Sequence, residues 1–546
     1  MKPILWLIFL YNFILLPTAF ASVGIFFKNT FFPLKIYYLK GENPGPTLMI
    51  QGGIQGDELS GIICAQLLTR AKVKKGNLII VPRANWPALF LFKRQLNVDL
   101  NRRFDKHYAA FYEDTLAKAI FYLASLSQGL IHLHEGSGFY SAVYINQLRN
   151  PKRYGQAVII DDKNYNNINL ANLAKDVLKE INPIVLPQKY KFSLFNMMTF
   201  SPNTLYPEQK KSLTYNVLKN YSKPAFAIEV SKHIKQLDWK VKYMLKTVQK
   251  FCHKLGVDIF ICWDKQTDSL VKNWFKQKIS LKIIPKNKYV YQLKIVKESD
   301  HNNMSQVGLQ FGDIDIDLNN NEVIFFPWED KFIKIIIDGK VVKTYKLKRS
   351  VFNIRKSKYP ILLYSVDGKI HYAFPQEHIQ LYKGQTLIVY GLWPNTGEVI
   401  NIKGYAPINA LSNTGQDINE PIYLLKAAFL PKYIKNLKNK AWSFEIVRET
   451  KNLPPYKWIV EVKEPKLNTI IFSNKNDIFS INNTKLKSGH YQITIYPDSF
   501  FILLDKNPIP YYNQDIIYFS PGAHQISVRN NKTFDLIKTY NIAVTP

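Results

Sequence analysis

The sequence predicts an α/β N-terminal domain, a mixed sheet with helices on both faces, followed by several small β-rich domains of barrel-like or immunoglobulin-like kind. Three observations predict it. From about Ser22 to Trp263, apolar runs of strand length alternate with stretches of helical period, the pattern of a layered α/β fold. After about Lys265 the texture changes to short β-rich runs punctuated by turn residues. The length, 546 residues, exceeds what one core can serve and at about 150 residues per domain suggests three or four domains.

Taken in order, the chain opens with "MKPILWLIFLYNFILLPTAFAS": Lys2, an apolar run from Ile4 to Leu16, then Ala19 and Ala21 flanking Phe20. This is the pattern of a secretory signal cut after Ala21, and the run is shorter than the roughly 20 residues a spanning helix needs. "TLMIQ" (47–51), "NLIIVP" (77–82), "GLIHLH" (129–134), "AVIID" (157–161), "AFAIEV" (225–230) and "VDIFICW" (257–263) read as buried strands. "DELSGIICAQLLTRA" and "DTLAKAIFYLASL" carry helical periodicity. Beyond them, "IKIIIDGKVVKTYKL" and "ILLYSVDGKIHYAF" are expected hairpins turning at Asp338-Gly339 and Asp367-Gly368. "YQITIYPDSFFILL" has strand character, and "EPIYLLKAAFLPKYIKNLKN" is expected to be one helix among the strands. The expected units are a signal peptide at 1–21, a catalytic domain at 22–265, and β-rich domains at 266–350, 351–465 and 466–546.

Composition limits the function classes. Hydrophobic residues at 47% supply several cores, and the three cysteines, Cys64, Cys252 and Cys262, are too few for a disulfide framework and lack metal-ligand spacing. The net charge of +32, mostly scattered lysine, suits anionic partners such as acidic wall polymers, lipid headgroups or nucleic acid. Helix-turn-helix, zinc-finger and aromatic-basic RNA motifs are missing, so nucleic acid is not an expected partner. No run after the leader is apolar and long enough to span a membrane, and the mature chain is expected outside the cytoplasm.

One constellation carries chemistry. "TLMIQGGIQGDELSG" sets a glycine-rich turn between a strand and a helix, so Gln55 and Glu58 can face one point. "IHLHEGSG" ends a strand at His134, with His132 on the same face by strand alternation. An amide, a carboxylate and one histidine make a three-ligand set that leaves zinc an open position. "KRQLNVDLNRRF" supplies Arg94, Asn101 and Arg102, suited to gripping a carboxylate and polarising a carbonyl. "AFAIEVSK" puts Glu229 near the end of an apolar strand, where a carboxylate needs a purpose.

The order and spacing of these pieces resemble the zinc metallocarboxypeptidases of the carboxypeptidase A type, over roughly residues 45–235. Gln55 departs from the histidine of that pattern and is similar to the branch of cell-shape-determining murein DL-carboxypeptidases, as are "LHEGSGFY", "YGQAVIIDD", the leader and the β-rich tail. The resemblance implies a periplasmic enzyme holding one Zn2+ through Gln55, Glu58 and His134, with Glu229 as general base and Arg94 at the oxyanion. It also implies that Asn101 and Arg102 bind the substrate's terminal carboxylate. The implied substrate is the peptidoglycan tripeptide L-Ala-γ-D-Glu-meso-diaminopimelate, losing its last residue. His132 is the alternative ligand if Gln55 does not bind. Tyr140 and Tyr206 are candidate substrate donors that sequence cannot rank. "FGDIDIDLNNNE" mimics the start of a calcium loop, but Leu318 and Ile324 replace the required glycine and glutamate, so an amphipathic strand is expected. An inactive wall-binding scaffold and a related metallo-amidase are the competing readings.

Overall fold

The central strand is β3 (Asn43–Gln51), and its alternation sorts the molecule into layers. Leu48 and Ile50 enter one core, while Met49 enters the core on the opposite face. The computed structural model describes residues 21–276, 278–285, 290–297, 304–311, 314–316, 323–325, 331–347, 360–393, 399–406, 415, 417–451, 455–475, 477–482 and 485–546. Residues 1–20 of the expected leader (1–21) lie outside them, as do Asp313, Asp317 and Leu318 of the calcium-loop-like stretch. Ile314–Ile316 of that stretch forms a strand antiparallel to Val307–Phe311.

The main sheet comprises β1 (Ser22–Phe26), β2 (Leu34–Lys40), β3, β4 (Lys72–Val81), β5 (Gly129–Gly136), β6 (Ala157–Ile160), β7 (Ser193–Asn196), β8 (Ala225–Ser231) and β9 (Asp258–Phe260). Its order is β1-β2-β4-β3-β5-β8-β6-β7, with β9 pairing β4. The sheet is mixed: β3 runs parallel to β4 and β5, and β5 parallel to β8, whereas β8 meets β6 antiparallel. Helices α1 (Leu59–Leu68), α4 (Leu170–Ile181) and α6 (Leu237–Lys254) cover one face, packing Ile63, Leu67, Ala174, Val241 and Val248. Helices α3 (Tyr112–Leu126) and α5 (Leu213–Tyr221) cover the other with Leu116, Ile120, Leu123, Leu213 and Val217. The connection from β3 leads to β4 on one side and later to β5 on the other, so the crevice between β3 and β5 is a switch point, where open α/β sheets place their sites.

Among the described residues the tail forms three pairs of small sheets. Both expected hairpins form, with Asp338 and Gly339 at φ 42 and 82 and Asp367 and Gly368 at φ 50 and 83, as a two-residue turn with left-handed residues requires. The 4-stranded sheet built around Ile361–Val366 and Thr386–Trp393 shares one core with the 5-stranded sheet built around Trp442–Arg448 and Lys457–Lys463. The last two sheets enclose Ile470, Phe472, Ile493, Ile502 and Val528.

The expected helix over "EPIYLLKAAFLPKYIKNLKN" does not form. A strand, Ile422–Tyr423, is followed by 3-10 turns at Lys426–Ala428, Pro431–Tyr433 and Lys438–Lys440. Pro431 has no N–H for a helix and keeps Leu430 extended at φ −68, ψ 126. The apolar residues alternate instead, Ile422 and Leu424 entering the local core while Tyr423 and Leu425 pack against the α/β domain. The expected strand at 257–263 is also shorter, Asp258–Phe260.

The β-rich tail is fastened to the α/β domain by buried polar contacts. Arg83, after β4, donates from Nε to Asp338 Oδ1 at 2.7 Å and from Nη2 to Oδ2 at 2.9 Å, and Trp274 Nε1 donates to Oδ2 at 2.8 Å. On the other face Phe501 and Phe534 stack edge-on against Phe26, both with ring centroids 5.6 Å away.

Candidate active site

The loop from β3 to α1 is held by close backbone approach. A Cβ on Gly56 would lie 2.2 Å from Ala88 C and Leu89 N, so only glycine lets the loop press against helix α2 (Trp86–Phe90). This fixes the flanking Gln55 and Glu58, both buried. Glu58 is the N-cap residue of α1 but makes no capping bond with its side chain. That service comes from Glu135, whose Oε1 accepts from Ser60 N at 2.7 Å while Oε2 meets Lys240 Nζ at 2.5 Å. Glu58 is thereby left to face the cavity.

His134 and Glu229 meet because β5 and β8 are parallel and in register, with Glu229 beside His134. Leu130 and Ala225, two strand periods back, mark the same face, that of α3 and α5. His134 Nδ1 lies 2.8 Å from Glu58 Oε2, and its Nε2 lies 3.2 Å from His132 Nδ1. His132 therefore stands behind His134, at the ring nitrogen away from Glu58. Glu229 Oε2 and His132 Nε2 are buried with no hydrogen-bond partner among the described residues. A Cβ on Gly136 would sit 2.8 Å from Glu229 Oε2 and 2.5 Å from Gly155 N, so glycine there makes room for the carboxylate.

Asp99 organises the remaining residues. Its Oδ1 accepts from Gln55 Nε2 at 3.1 Å and from Asn101 N at 3.0 Å, and its Oδ2 accepts from Arg94 Nη2 at 2.7 Å. Arg94 also reaches toward Glu58, with Nη1 3.9 Å from Oε1. Asn101 Oδ1 accepts from Leu213 N at 3.0 Å, tying the loop to the start of α5 and leaving the Nδ2 amide for a ligand. Arg102 donates from Nη1 to Asn101 O at 2.9 Å.

All seven residues singled out by sequence line one cavity of about 370 Å³: Gln55, Glu58, Arg94, Asn101, Arg102, His134 and Glu229. His132 joins them. Sequence reasoning missed Tyr154, Glu208, Thr214 and Lys232, which also line it. Tyr140 and Tyr206 do not line it; Tyr140 stacks on Phe195 at 4.0 Å and the Tyr206 hydroxyl donates to Pro151 O at 3.3 Å. Asp99 was the most legible omission, since it stands inside "DLNRRF" itself.

Burial dominates the electrostatics. It holds Glu58 well above the usual carboxylate range despite the Lys232 and Arg94 charges, and raises Glu229 likewise, with the Glu58 charge adding to the rise. Burial, and next the Arg94 charge, push His134 down to about 3, so its imidazole is neutral and free to donate an electron pair. Burial would raise Asp99, but Arg94 and Arg102 hold it below its ordinary value.

This donor set fits a divalent cation. Gln55 has committed its amide nitrogen to Asp99, which leaves its carbonyl oxygen free to coordinate a cation. Glu58 can contribute its carboxylate, which lies against His134 Nδ1, and His134 can contribute that Nδ1 from a ring fixed on its far side by His132. The tautomer that frees Nδ1 puts the proton on Nε2, donating to His132. Among the described residues no group of three or more His, Cys, Asp or Glu stands at metal-binding spacing, so such a site depends on the amide oxygen of Gln55.

Residues 31–273 match the model of the family described as carboxypeptidases controlling helical cell shape, catalytic region. Among solved structures, the chain is similar to the product-bound cell shape determinant protein Csd4 from Helicobacter pylori, at 20% identity and a TM-score of 0.44, covering 77% of this chain and 96% of that one. The mDAP-bound form of Helicobacter pylori Csd4, a D,L-carboxypeptidase, gives the same 20% identity, 77% and 96% coverage and TM-score of 0.44. A succinylglutamate desuccinylase/aspartoacylase from Rhodobacter sphaeroides is 15% identical, with a TM-score of 0.30 over 44% of this chain and 66% of that one. No curated protein matches the chain.

Proposed function

We propose, from the premise that residues 31–273 belong to the family of carboxypeptidases that control helical cell shape, that this protein is an exported, zinc-dependent DL-carboxypeptidase. Its substrate is the murein tripeptide L-Ala-γ-D-Glu-meso-diaminopimelate, from which it releases the terminal diaminopimelate in the periplasm. The observation that carries the reading is the convergence of a three-donor set, an unpartnered buried carboxylate and a two-arginine cluster on one cavity.

Gln55, Glu58 and His134 hold one zinc ion. The bound ion supplies Lewis acidity toward the scissile carbonyl and the attacking water. Glu229 takes the water's proton at Oε2, the oxygen with no other partner, and delivers it to the leaving amine. A carboxylate raised by burial is a better base at neutral pH than an exposed one. Arg94, braced by Asp99, stabilises the oxyanion, and losing one such donor costs about 100 to 1,000-fold in rate. Arg102 and the Asn101 amide clamp the substrate's terminal carboxylate, which makes the enzyme an exopeptidase. A cavity of about 370 Å³ suits a terminal residue and its neighbour rather than a folded chain.

Incubating the purified protein with defined muropeptides, with and without chelator, and weighing the products by mass spectrometry tests this. Diaminopimelate released only when metal is present, and not from a C-terminally amidated tripeptide, is the expected result. Intact peptides with retained murein binding would instead make the protein a wall-binding scaffold.

A further inference from the structure

Two surface segments beside the cavity mouth have an inverted construction. In the loop after β5, Val143, Tyr144, Ile145 and Leu148 stand in solvent, Tyr144 with 68% of its surface exposed. Polar side chains hold the backbone, with Asn150 buried beneath the loop. Asn146 Oδ1 accepts from Leu148 N at 3.0 Å and Arg149 N at 2.9 Å, Asn150 Nδ2 donates to Asn146 O at 3.0 Å, and Arg153 donates to Gln147 O at 2.9 and 2.7 Å. Each bond restricts the loop to a shape that presents its apolar side chains to water. A rigid apolar protrusion costs solubility unless something covers it.

The second segment, after α4, continues the same face. Ile184 and Leu186 are exposed there, and the two segments are joined by Arg149 Nη2 donating to Lys189 O at 2.7 Å and by Phe139 stacked on Tyr190 at 5.7 Å. Residues 136–160 and 181–207 contain no aspartate or glutamate, and they carry Arg149, Lys152, Arg153, Lys189 and Lys191. Ser137, Tyr154 and Met197 from these segments line the cavity, so the face borders its mouth.

We propose that this face docks on an anionic phospholipid bilayer, with Tyr144, Ile145 and Leu186 entering the headgroup–acyl boundary and the lysines and arginines lying over the headgroups. The charge pattern selects an anionic surface. The apolar tips select a bilayer over a wall polymer, whose polar glycan and peptide offer aliphatic side chains nothing to enter. Among the described residues no helix is long and apolar enough to cross a membrane. The cavity would then open beside the membrane, restricting which wall strands it reaches.

The test is cosedimentation of the full chain with vesicles of phosphatidylcholine alone or mixed with phosphatidylglycerol, with soluble polyglutamate as a second probe. Every variant keeps the same N-terminus, so any contribution of residues 1–21 cancels. Binding is expected to the mixed vesicles only. It should fall roughly tenfold or more in Tyr144→Ser/Ile145→Ser, from lost apolar burial, and about fivefold per charge in Lys152→Gln and Lys189→Gln. Circular dichroism and turnover of a soluble muropeptide should be unchanged, which separates this inference from the catalytic one. Equal binding to both vesicle types, no binding to the mixed vesicles, or variants that sediment like the parent would overturn it. So would a loss in the tip variant seen on polyglutamate and not on vesicles, which would indicate an acidic protein partner.

Discussion

Replacing Asp99 by asparagine isolates the scaffold behind the site without touching a proposed ligand. The Asp99 carboxylate accepts three hydrogen bonds, from Gln55 Nε2, Asn101 N and Arg94 Nη2. Gln55 Nε2 and Asn101 N both donate to Oδ1, so in asparagine that shared oxygen either loses its charge or is replaced by an NH2 facing both donors, and either way the charge-assisted hold on the Gln55 amide is lost. The Arg94 pair, with that side chain 48% exposed, adds little to the cost. One lost charge-assisted bond in a buried setting is worth about 1.5 to 3 kcal/mol, and the midpoint corresponds to about 40-fold in a binding constant. This falls within the 10 to 100-fold that disturbing a ligand's supporting partner typically costs in metal affinity. Titrating zinc against a chromogenic chelator measures it directly. A weakening of about 40-fold is expected, together with a fall in kcat/KM at saturating zinc from the loosened Arg94. Unchanged zinc affinity in a folded Asp99→Asn variant would refute the role of Gln55 as a ligand held from behind.

Glu229→Gln should lower kcat by about 100 to 10,000-fold while leaving zinc affinity within severalfold, because the group moves a proton and does not coordinate; the same chelator titration beside steady-state kinetics separates the two. Arg83→Met strands the fully buried Asp338 carboxylate, and urea unfolding should show a loss of roughly 3 to 5 kcal/mol, much of it recovered in Arg83→Met/Asp338→Asn. Glu113, buried while accepting from Asn97 and Val98, is pushed up by that burial to about 7 from 4.5. The folded state therefore binds its proton more tightly than the unfolded chain does. The resulting stabilisation is complete below about pH 4.5 and lost as pH rises through 7, at most about 3 kcal/mol. Over that range the stability of Glu113→Gln should gain on the parent's by this amount, and parallel profiles would refute it.

The candidate site was legible where chemistry-bearing residues broke an apolar pattern. Glu229 interrupts "AFAIEV", His134 ends "GLIHLH", and Gln55 and Glu58 stand in a loop too rich in glycine to be mere connection. Period-2 alternation placed His132 and His134 on one face, but not their unequal positions, because these depend on which ring nitrogen meets Glu58. Tyr154, Thr214 and Lys232 sit in stretches with no such break, and only the folding together of the segment after β5, the first turn of α5 and the segment after β8 makes them neighbours. The failed helix near residue 430 has a local cause. Its alternation of Ile422 and Leu424 against Tyr423 and Leu425 was readable, as was Pro431, but helix-forming Lys, Leu and Ala masked both.

By itself, then, the sequence determined the alternating layers, the hairpin turns and the identities of the seven chemical groups, because each rests on local periodicity, turn chemistry or residue type. The tertiary structure decided their registry. It brings Glu229 beside His134 through a parallel pairing between strands almost a hundred residues apart, commits the Gln55 amide nitrogen to Asp99, and joins two acid-free segments into one basic, apolar face. Those outcomes depend on strand order and packing, which no local pattern encodes.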